Sequence, residues 1–245
     1  MLAEEGITVL QEHATSVAAA QDGLVVTTAS GQQVRGQRLL VATGRTARTD
    51  GLHLPAAGVN IDERGFIVVD EHQRTSNPWV HAAGDVCGAP QYVYVAAAGG
   101  RVAARNALVD DCCEPTERVD YTGLPSVVFT RPPLASAGLT EAEVLTLGHG
   151  CACRVLNLSD VPRALVNRDT RGLVKVVADP EGKVLGVHAL SDGAGEIMLA
   201  ATYAIKAGMT VDDVADTWAP YLTMAESLRI AAGLFRNQMP TSCCA

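Results

Sequence analysis

Several features that would settle a function on their own are missing from this sequence. It contains no G-x-G-x-x-G loop, the usual seat for a dinucleotide pyrophosphate. No two cysteines have the C-x-x-C or C-x-x-x-x-C spacing that supports a reversible disulfide, and no Ser/His/Asp nucleophile pattern occurs. The histidines are scattered without the spacing of metal ligands. The chemistry must therefore be sought in weaker signals.

Basic residues and long apolar runs are also scarce. The 19 Lys and Arg are outnumbered by 27 Asp and Glu, which gives a net charge of −8. This balance argues against a nucleic-acid surface or a polybasic membrane patch. No apolar run approaches the length of a bilayer span, and the opening MLAEEGITVL lacks a basic and then apolar signal pattern. We expect a cytoplasmic protein with neither nucleic acid nor membrane as a partner.

The cysteines are the first positive signal. There are 7, an odd number, with vicinal pairs at 112–113 and 243–244. This pattern differs from a secreted disulfide framework, so we expect free thiols. Adjacent cysteines close a strained ring and remove little entropy from the unfolded chain. Cys243 and Cys244 suit thiol exchange or a soft metal ion, and a frayed end that happens to hold two cysteines is the alternative.

Three stretches differ in pattern along the chain. Residues 6–45 predict a meander of short strands that ends in a buried parallel strand, LLVATG, and the chain is expected to start in the middle of a domain. Residues 50–110 predict a loop, a buried strand VHAAGDV and an Ala-rich helix over 93–109. Residues 121–236 predict short strands, a hairpin turn at DPEGK, and helices over 194–207, 211–217 and 222–236. Strands followed by helices indicate an α+β domain.

Four residues of the first two stretches are candidate cofactor contacts. Gly84 and Asp85 end a predicted strand, where backbone can approach a ligand and a carboxylate can accept from a sugar hydroxyl; a plain turn with a capping Asp is the alternative. The amino end of the next helix, near Val93, suits an electron-rich ring carbonyl. Gly44 ends LLVATG. It is either a position where the backbone approaches a ligand closely or a simple turn from strand to loop.

Other polar signals lie in the third stretch. Tyr221 and Glu226 lie near a helix start in PYLTMAESL, either with a functional role or as part of a capping box with Thr223. Cys151 and Cys153 lie one apart on a predicted strand and, with His149, form a conceivable soft-metal set; small buried side chains are the alternative. Cys112 and Cys113 are expected either to bind a thiophilic ion or simply to lie in a solvated loop.

Together these residues resemble the carboxyl-terminal half of the pyridine nucleotide–disulfide oxidoreductases, and most closely the mercuric reductases among them. LLVATGRT, VHAAGDV and YVYVAAAGGR resemble the closing strand of the nucleotide domain, the flavin-contacting segment and the helix facing the flavin. Most relatives have a His-Pro-Thr stretch ending in Glu; here YLTMAE places Tyr221 where that His stands, as in mercuric reductases. The terminal SCCA resembles the vicinal thiols that those enzymes use to collect Hg(II).

The resemblance implies an α/β plus α+β fold: the remnant of a doubly wound dinucleotide-binding domain, followed by an α+β dimerisation domain. It implies the end of an NAD(P)-binding domain over 1–48, part of an FAD-binding domain over 49–118, a homodimer interface over 119–236 and a mobile tail over 237–245. The implied activity is reduction of Hg(II) to Hg(0) with FAD and NADPH. Gly44, Gly84, Asp85 and Val93 are the implied cofactor contacts, Tyr221 and Glu226 the catalytic residues, and Cys243 and Cys244 the metal ligands.

Two alternatives remain at this stage. Since the redox-active cysteine pair of the family is absent, the isolated chain is expected to be inactive and could serve as a redox-inert, dimeric Hg(II)-binding module. A fragment of a dihydrolipoamide-dehydrogenase-like disulfide reductase is the second alternative. Tyr221 and the terminal cysteines count against it.

Overall fold

The computed structural model describes residues 2–108 and 117–237. The chain divides into two compact units, here called the amino unit (residues 1–119) and the carboxyl unit (residues 120–245). The mixed helix and sheet content confirms the predicted fold class. Among the described residues, no helix is both long and apolar enough to span a bilayer.

The amino unit begins with an antiparallel meander. Its strands are β1 (Ala14–Ala20), β2 (Gly23–Thr28) and β3 (Gln33–Gly36), in the order β1-β2-β3. A tight turn at Gln21 and Asp22 joins β1 to β2, which pair from Ala20 opposite Gly23 onwards. The predicted meander is therefore confirmed over 14–36.

The two buried strands predicted for this unit are absent from the described structure. Leu39 to Gly44 run as exposed coil, with Leu40 88% and Val41 69% exposed. In place of the strand VHAAGDV, His81 makes one isolated bridge to Arg74. The prediction was wrong because an apolar run becomes a buried parallel strand only beside neighbouring strands, which these segments lack among the described residues.

One helix, α1 (Val93–Asn106), packs on the loop core of the amino unit. Its buried positions recur every three to four residues, as expected for one helix face against a core. Asn106, at the last position, donates from Nδ2 to the carbonyl oxygens of His72 at 3.0 Å and Glu117 at 2.7 Å. These bonds anchor the end of α1 to the loop.

The carboxyl unit is a five-stranded antiparallel sheet with helices. The strands are β4 (Pro125–Val128), β5 (Leu134–Gly138), β6 (Ala152–Asn157), β7 (Leu173–Ala178) and β8 (Val184–Leu190), in the order β4-β5-β8-β7-β6. The helices are α2 (Glu141–Thr146), α3 (Pro162–Asn167), α4 (Ala194–Ala207), α5 (Val211–Asp216) and α6 (Glu226–Gly233). Short 3-10 turns occupy Leu158–Asp160 and Leu234–Arg236.

The core of this unit lies between the sheet and two of its helices. Helix α4 contacts β4, β5 and β8, and α6 contacts β6 and β7. The sheet contributes alternating residues such as Val174 and Val176, and α4 contributes Ile197 and Met198, all at most 2% exposed. The predicted hairpin at DPEGK joins β7 to β8, as expected.

Two helical details differ from the sequence prediction. The last helix begins at Glu226 rather than at 222, because residues 222–225 form a turn. Helix α3 was not predicted; it begins with Pro162, which is preorganised for a first helical position, and its six residues are too few to show a helical period.

Candidate functional site

The turn before α6 carries the two candidate catalytic residues. Glu226 is 5% exposed, and its Oε2 accepts a hydrogen bond from the backbone N–H of Leu222 at 2.6 Å. Leu222 has a left-handed backbone with φ of 63°. Tyr221, one residue earlier, is 55% exposed. The buried carboxylate thus closes the turn and presents the phenol at the surface of the carboxyl unit.

The capping box with Thr223 is not formed. The Thr223 hydroxyl donates to the Pro220 carbonyl at 2.8 Å, and Ala225, which precedes the helix, makes no side-chain cap. Glu226 is the first residue of α6 and reaches back to Leu222 instead. Of the two interpretations of Glu226 that the sequence left open, the one involving Thr223 is wrong.

Glu226 also has a cationic neighbour for its buried charge. The Nη2 of Arg229, one turn along α6, lies 4.0 Å from Oε1 of Glu226. A buried carboxylate is costly unless its oxygens are hydrogen-bonded or paired. Here one oxygen takes the Leu222 N–H and the other faces a guanidinium, so the charge is accommodated.

Gly84 and Asp85 lie beside α1 in the amino unit. Gly84 has φ of 82°, and a Cβ there would approach the Cβ of Ala96 to 3.2 Å. The backbone therefore lies close against the first turns of α1. Asp85 starts a 3-10 turn (Asp85–Cys87), and its Oδ2 accepts from Nη1 of Arg45 at 3.0 Å. The sequence did not single out Arg45, whose partner lies forty residues further on.

Val93 opens α1 with an exposed first turn. The side chain is 88% exposed, and the preceding residue, Tyr92, makes no capping hydrogen bond with its side chain. The first turn contains no acidic residue. No acidic side chain of that turn therefore offsets the positive end of the helix dipole.

Gly44 lies in the exposed coil that follows the meander. Its φ is 109°, a conformation that L side chains rarely adopt, and nothing in the described chain lies within 4 Å of a Cβ built there. The glycine is needed for the bend itself. A close approach to a ligand at this position stays a prediction.

Three potential metal ligands meet in the carboxyl unit. The Sγ atoms of Cys151 and Cys153 and a carboxylate oxygen of Glu141 all lie within 4.8 Å of one another. The sequence paired these cysteines with His149; in the described residues the third member is Glu141, from the start of α2. No local spacing links residue 141 to residues 151 and 153, which explains why it was missed.

Burial and charge set the protonation of this cluster. Burial, together with the negative charge of Glu141, raises the pKa of the Cys153 thiol to about 11. The hydrogen bond from Lys175 lowers the pKa of the Glu141 carboxyl. At neutral pH Cys153 is thus a thiol beside a carboxylate–ammonium pair, and a ligand that needs its thiolate must displace the proton.

The remaining candidate cysteines lie outside the described residues. These are Cys112 and Cys113, between the two described ranges, and Cys243 and Cys244, after the second of them. Cys87, Cys151 and Cys153 are free thiols, and burial raises the pKa of Cys87 to about 11. Cys87 therefore resists ionisation at neutral pH.

Comparisons with protein families match both units. The model described as pyridine nucleotide-disulphide oxidoreductase matches residues 1–100. The model described as the dimerisation domain of the pyridine nucleotide-disulphide oxidoreductases matches residues 124–232.

Related proteins agree with these matches. A mercuric reductase of Streptomyces lividans is 52% identical over 99% of this chain and 52% of its own length. One from Acidithiobacillus ferrooxidans is 44% identical over 98% of this chain and 44% of its own length. This chain thus spans about half the length of these relatives.

Solved structures show the same architecture. LpdA from Mycobacterium tuberculosis superposes with a TM-score of 0.85 at 28% identity, over 96% of this chain and 50% of that one. The HOCl-induced flavoprotein disulfide reductase RclA from Escherichia coli superposes with a TM-score of 0.84, also at 28% identity, over 95% and 53%.

Proposed function

The chain belongs to the pyridine nucleotide-disulphide oxidoreductase family, and on that premise we propose that it is the mercury-handling part of a mercuric reductase. In this proposal the carboxyl unit forms the homodimer and carries Tyr221 and Glu226. Cys243 and Cys244 collect Hg(II). The reaction is the reduction of Hg(II) to Hg(0).

The observation that carries the proposal is the turn that presents Tyr221. Glu226 is buried and fixes the turn through Leu222, so the phenol is held at a defined place on the surface. The resemblance implies that this position belongs to a residue that enters the partner subunit's site. A phenol ionises far above neutral pH, so Tyr221 would act there as a hydrogen-bond donor rather than a base. It would orient the thiolate-bound metal.

The terminal thiols fit the substrate. Hg(II) is soft and prefers thiolate ligands. It passes from one thiol pair to another by exchange, each attacking thiolate replacing a leaving thiol, so the ion is not released during transfer. A thiol pair tethered to the chain raises the local concentration of acceptor sulfurs for this relay.

The amino unit has residues that suit FAD. The N–H groups at the amino end of α1, from Val93, could face an electron-rich ring carbonyl. Gly84 has no Cβ and its backbone packs against Ala96 of α1, and Asp85 could accept from a sugar hydroxyl, with Arg45 orienting its carboxylate. FAD would supply two-electron transfer from NADPH to the metal centre. Gly44 is the remaining proposed contact on the nucleotide side.

A homodimer through residues 119–236 is part of the proposal, and the match to the dimerisation-domain model over residues 124–232 supports it. Phe129 is 89% and Trp218 98% exposed in a single copy of the chain. Aromatic side chains so exposed are expected to be covered by a partner, because aromatics are enriched at interface cores. The proposed cover is a second copy of this chain.

The test is a chimera in which this chain replaces the matching half of the Streptomyces lividans mercuric reductase. We expect Hg(II)-dependent NADPH oxidation by the chimera and its loss in the Cys243→Ser/Cys244→Ser variant. In parallel, the purified 245-residue chain is titrated with Hg(II) while thiolate-to-mercury absorbance is followed. A correctly folded, flavin-containing chimera without Hg(II)-dependent turnover would refute the proposal.

A redox-inert Hg(II)-binding module is the second candidate. It is favoured by the exposed coil over Leu39–Gly44, where a nucleotide domain would have its closing strand. Colourless protein that binds Hg(II) tightly through Cys243 and Cys244 would support this candidate for the isolated chain. A chimera that binds flavin and turns over lipoamide rather than Hg(II) would instead support a dihydrolipoamide-dehydrogenase-like reductase.

A further inference from the structure

The cluster of Cys151, Cys153 and Glu141 is not used by the proposed function. We propose that it is a separate binding site for a thiophilic divalent cation of the Zn(II) and Cd(II) class. The three ligand atoms already lie within 4.8 Å of one another. The site would lie within the carboxyl unit and is independent of the terminal cysteine pair.

Strand geometry brings the two sulfurs together. Cys153 lies in β6, the edge strand, opposite Val177 of β7. Cys151 is two residues earlier, just before β6 begins. Because side chains alternate along an extended chain, residues two apart point to the same side. The C-x-C pair at the start of this edge strand therefore presents two sulfurs on one side, and pairing with β7 keeps its backbone in place.

The start of α2 supplies the oxygen. The helix begins at Glu141 and is fixed by a capping box, in which the Thr140 hydroxyl accepts from the N–H of Glu143 at 3.2 Å. Lys175 of β7 donates to Glu141, Nζ to Oε2 at 2.5 Å. Glu141 is thus held over the sheet face that carries Cys153, by its helix on one side and by Lys175 on the other.

The donor set matches the ion class. Thiolates select soft cations, whereas Zn(II) and related ions also accept a carboxylate. Bonds of about 2.3 Å to sulfur and about 2.0–2.2 Å to oxygen, arranged tetrahedrally, place ligand atoms about 3.5–3.8 Å apart. The three ligand atoms lie within 4.8 Å of one another, so they must approach by at most about 1.3 Å to reach that spacing. The half-buried thiols and the partly exposed carboxylate leave a path for the ion and a position for water.

Charge also balances in the bound state. Binding releases the two thiol protons to solvent and forms two metal–sulfur bonds. The two thiolates and Glu141, set against Lys175, then leave two negative charges, which a divalent cation neutralises. In the metal-free protein Lys175 pairs with Glu141 and keeps it in place. Lys175 therefore competes weakly with the ion for the Glu141 carboxylate.

Cadmium alone is the probe, with thiolate-to-cadmium charge transfer in the ultraviolet as the readout. The full chain carries Cys112, Cys113, Cys243 and Cys244 changed to Ser, so that these four thiols cannot contribute to the signal. In this background we expect one equivalent of Cd(II) with charge transfer from two sulfurs. Changing Cys151→Ser or Cys153→Ser should abolish the signal, whereas Cys87→Ser is the matched control and should keep it.

Glu141 is tested separately. Glu141→Gln keeps the shape but removes the anionic ligand, and we expect Cd(II) affinity to fall at least about tenfold while the charge-transfer band remains. Lys175→Met should leave binding intact or strengthen it. Circular dichroism establishes that each variant is folded. Absence of stoichiometric Cd(II) binding in the background chain overturns the site, and unchanged affinity in Glu141→Gln overturns the role of the carboxylate. Neither result depends on reductase activity.

Discussion

Lys206 and Asp120 join the last turn of α4 to the first residue of the carboxyl unit, with Nζ 2.5 Å from Oδ2. Asp120 also accepts the backbone N–H of Thr122 at 2.8 Å. The hydrogen bond from Lys206, with those from Thr122, lowers the pKa of Asp120 from 3.8 to about 2. The pair therefore attaches the segment before β4 to a core helix in a way that depends on pH.

The first prediction is loss of stability in acid through this pair. The folded Asp120 has the lower pKa, so the unfolded chain binds more protons between about pH 4 and pH 2, and the contribution to stability is lost as pH falls through that window. Lys206→Met should lower the urea midpoint at pH 6, and its difference from the unchanged chain should shrink towards pH 2. A difference that is constant with pH would mean that Lys206 acts by packing alone.

The second prediction concerns the buried carboxylate of Glu226. Glu226→Ala leaves the Leu222 N–H without its acceptor and should cost about 1–3 kcal/mol of unfolding free energy. Glu226→Gln keeps an acceptor oxygen and should cost less. The control is Glu196→Ala, which removes an exposed carboxylate from the first turn of α4 and should cost about 0.3–1 kcal/mol. Urea unfolding followed by circular dichroism gives the values, and equal losses at 196 and 226 would contradict the turn's role.

The third prediction compares two glycines of similar backbone. Gly138 and Gly148 have φ of 73° and 76°. Alanine at Gly148 meets nothing within 4 Å in the described chain, so Gly148→Ala should cost about 1–2 kcal/mol for the left-handed backbone alone. Alanine at Gly138 would collide with the Leu185 carbonyl oxygen and with Ile205, so Gly138→Ala should cost about 1–3 kcal/mol more. Equal urea midpoints for the two variants would contradict the packing at the end of β5.

Sequence pattern predicted the carboxyl unit better than the amino unit, for a physical reason. Strands β7 and β8 are adjacent and are joined by a short turn, so their signal is local. The segment LLVATG has the composition of a buried strand, but its state depends on strands from elsewhere. Composition cannot report whether those strands are present.

The candidate site divides in the same way. The sequence singled out Tyr221 and Glu226 and left open a capping box with Thr223, whereas in the structure Glu226 accepts from the Leu222 N–H. It grouped Cys151 and Cys153 with His149, whereas the tertiary fold brings Glu141 of α2 beside the two sulfurs. Residue type and spacing can predict side-chain partners that are close in sequence. They cannot predict backbone donors or residues that tertiary packing brings in.

The fourth prediction concerns dimerisation. Trp218→Ser should weaken self-association at least about tenfold, because a fully exposed indole in this unit is the kind of residue that dominates interface energy. Sedimentation velocity over a concentration series measures the change. Trp79→Ser is the control, since Trp79 is 77% exposed in the amino unit and should leave association unchanged. A monomeric unchanged chain, or equal effects of the two variants, would contradict the proposed interface.

The fifth prediction assigns the Tyr221 hydroxyl a role in turnover. In the chimera with the Streptomyces lividans half, Tyr221→Phe keeps the ring and removes one hydrogen-bond donor. A neutral hydrogen bond contributes about 0.5–1.5 kcal/mol, so kcat for Hg(II) should fall up to about tenfold. The KM for NADPH should stay unchanged, because the nucleotide does not contact this turn in the proposal. Tyr203→Phe, a matched change at a 64% exposed position of α4, should leave kcat as it is. A Tyr221→Phe chimera with full kcat would contradict a role for the hydroxyl in turnover. The aromatic ring would then be the part that acts, and Tyr221→Leu would be the variant that loses activity.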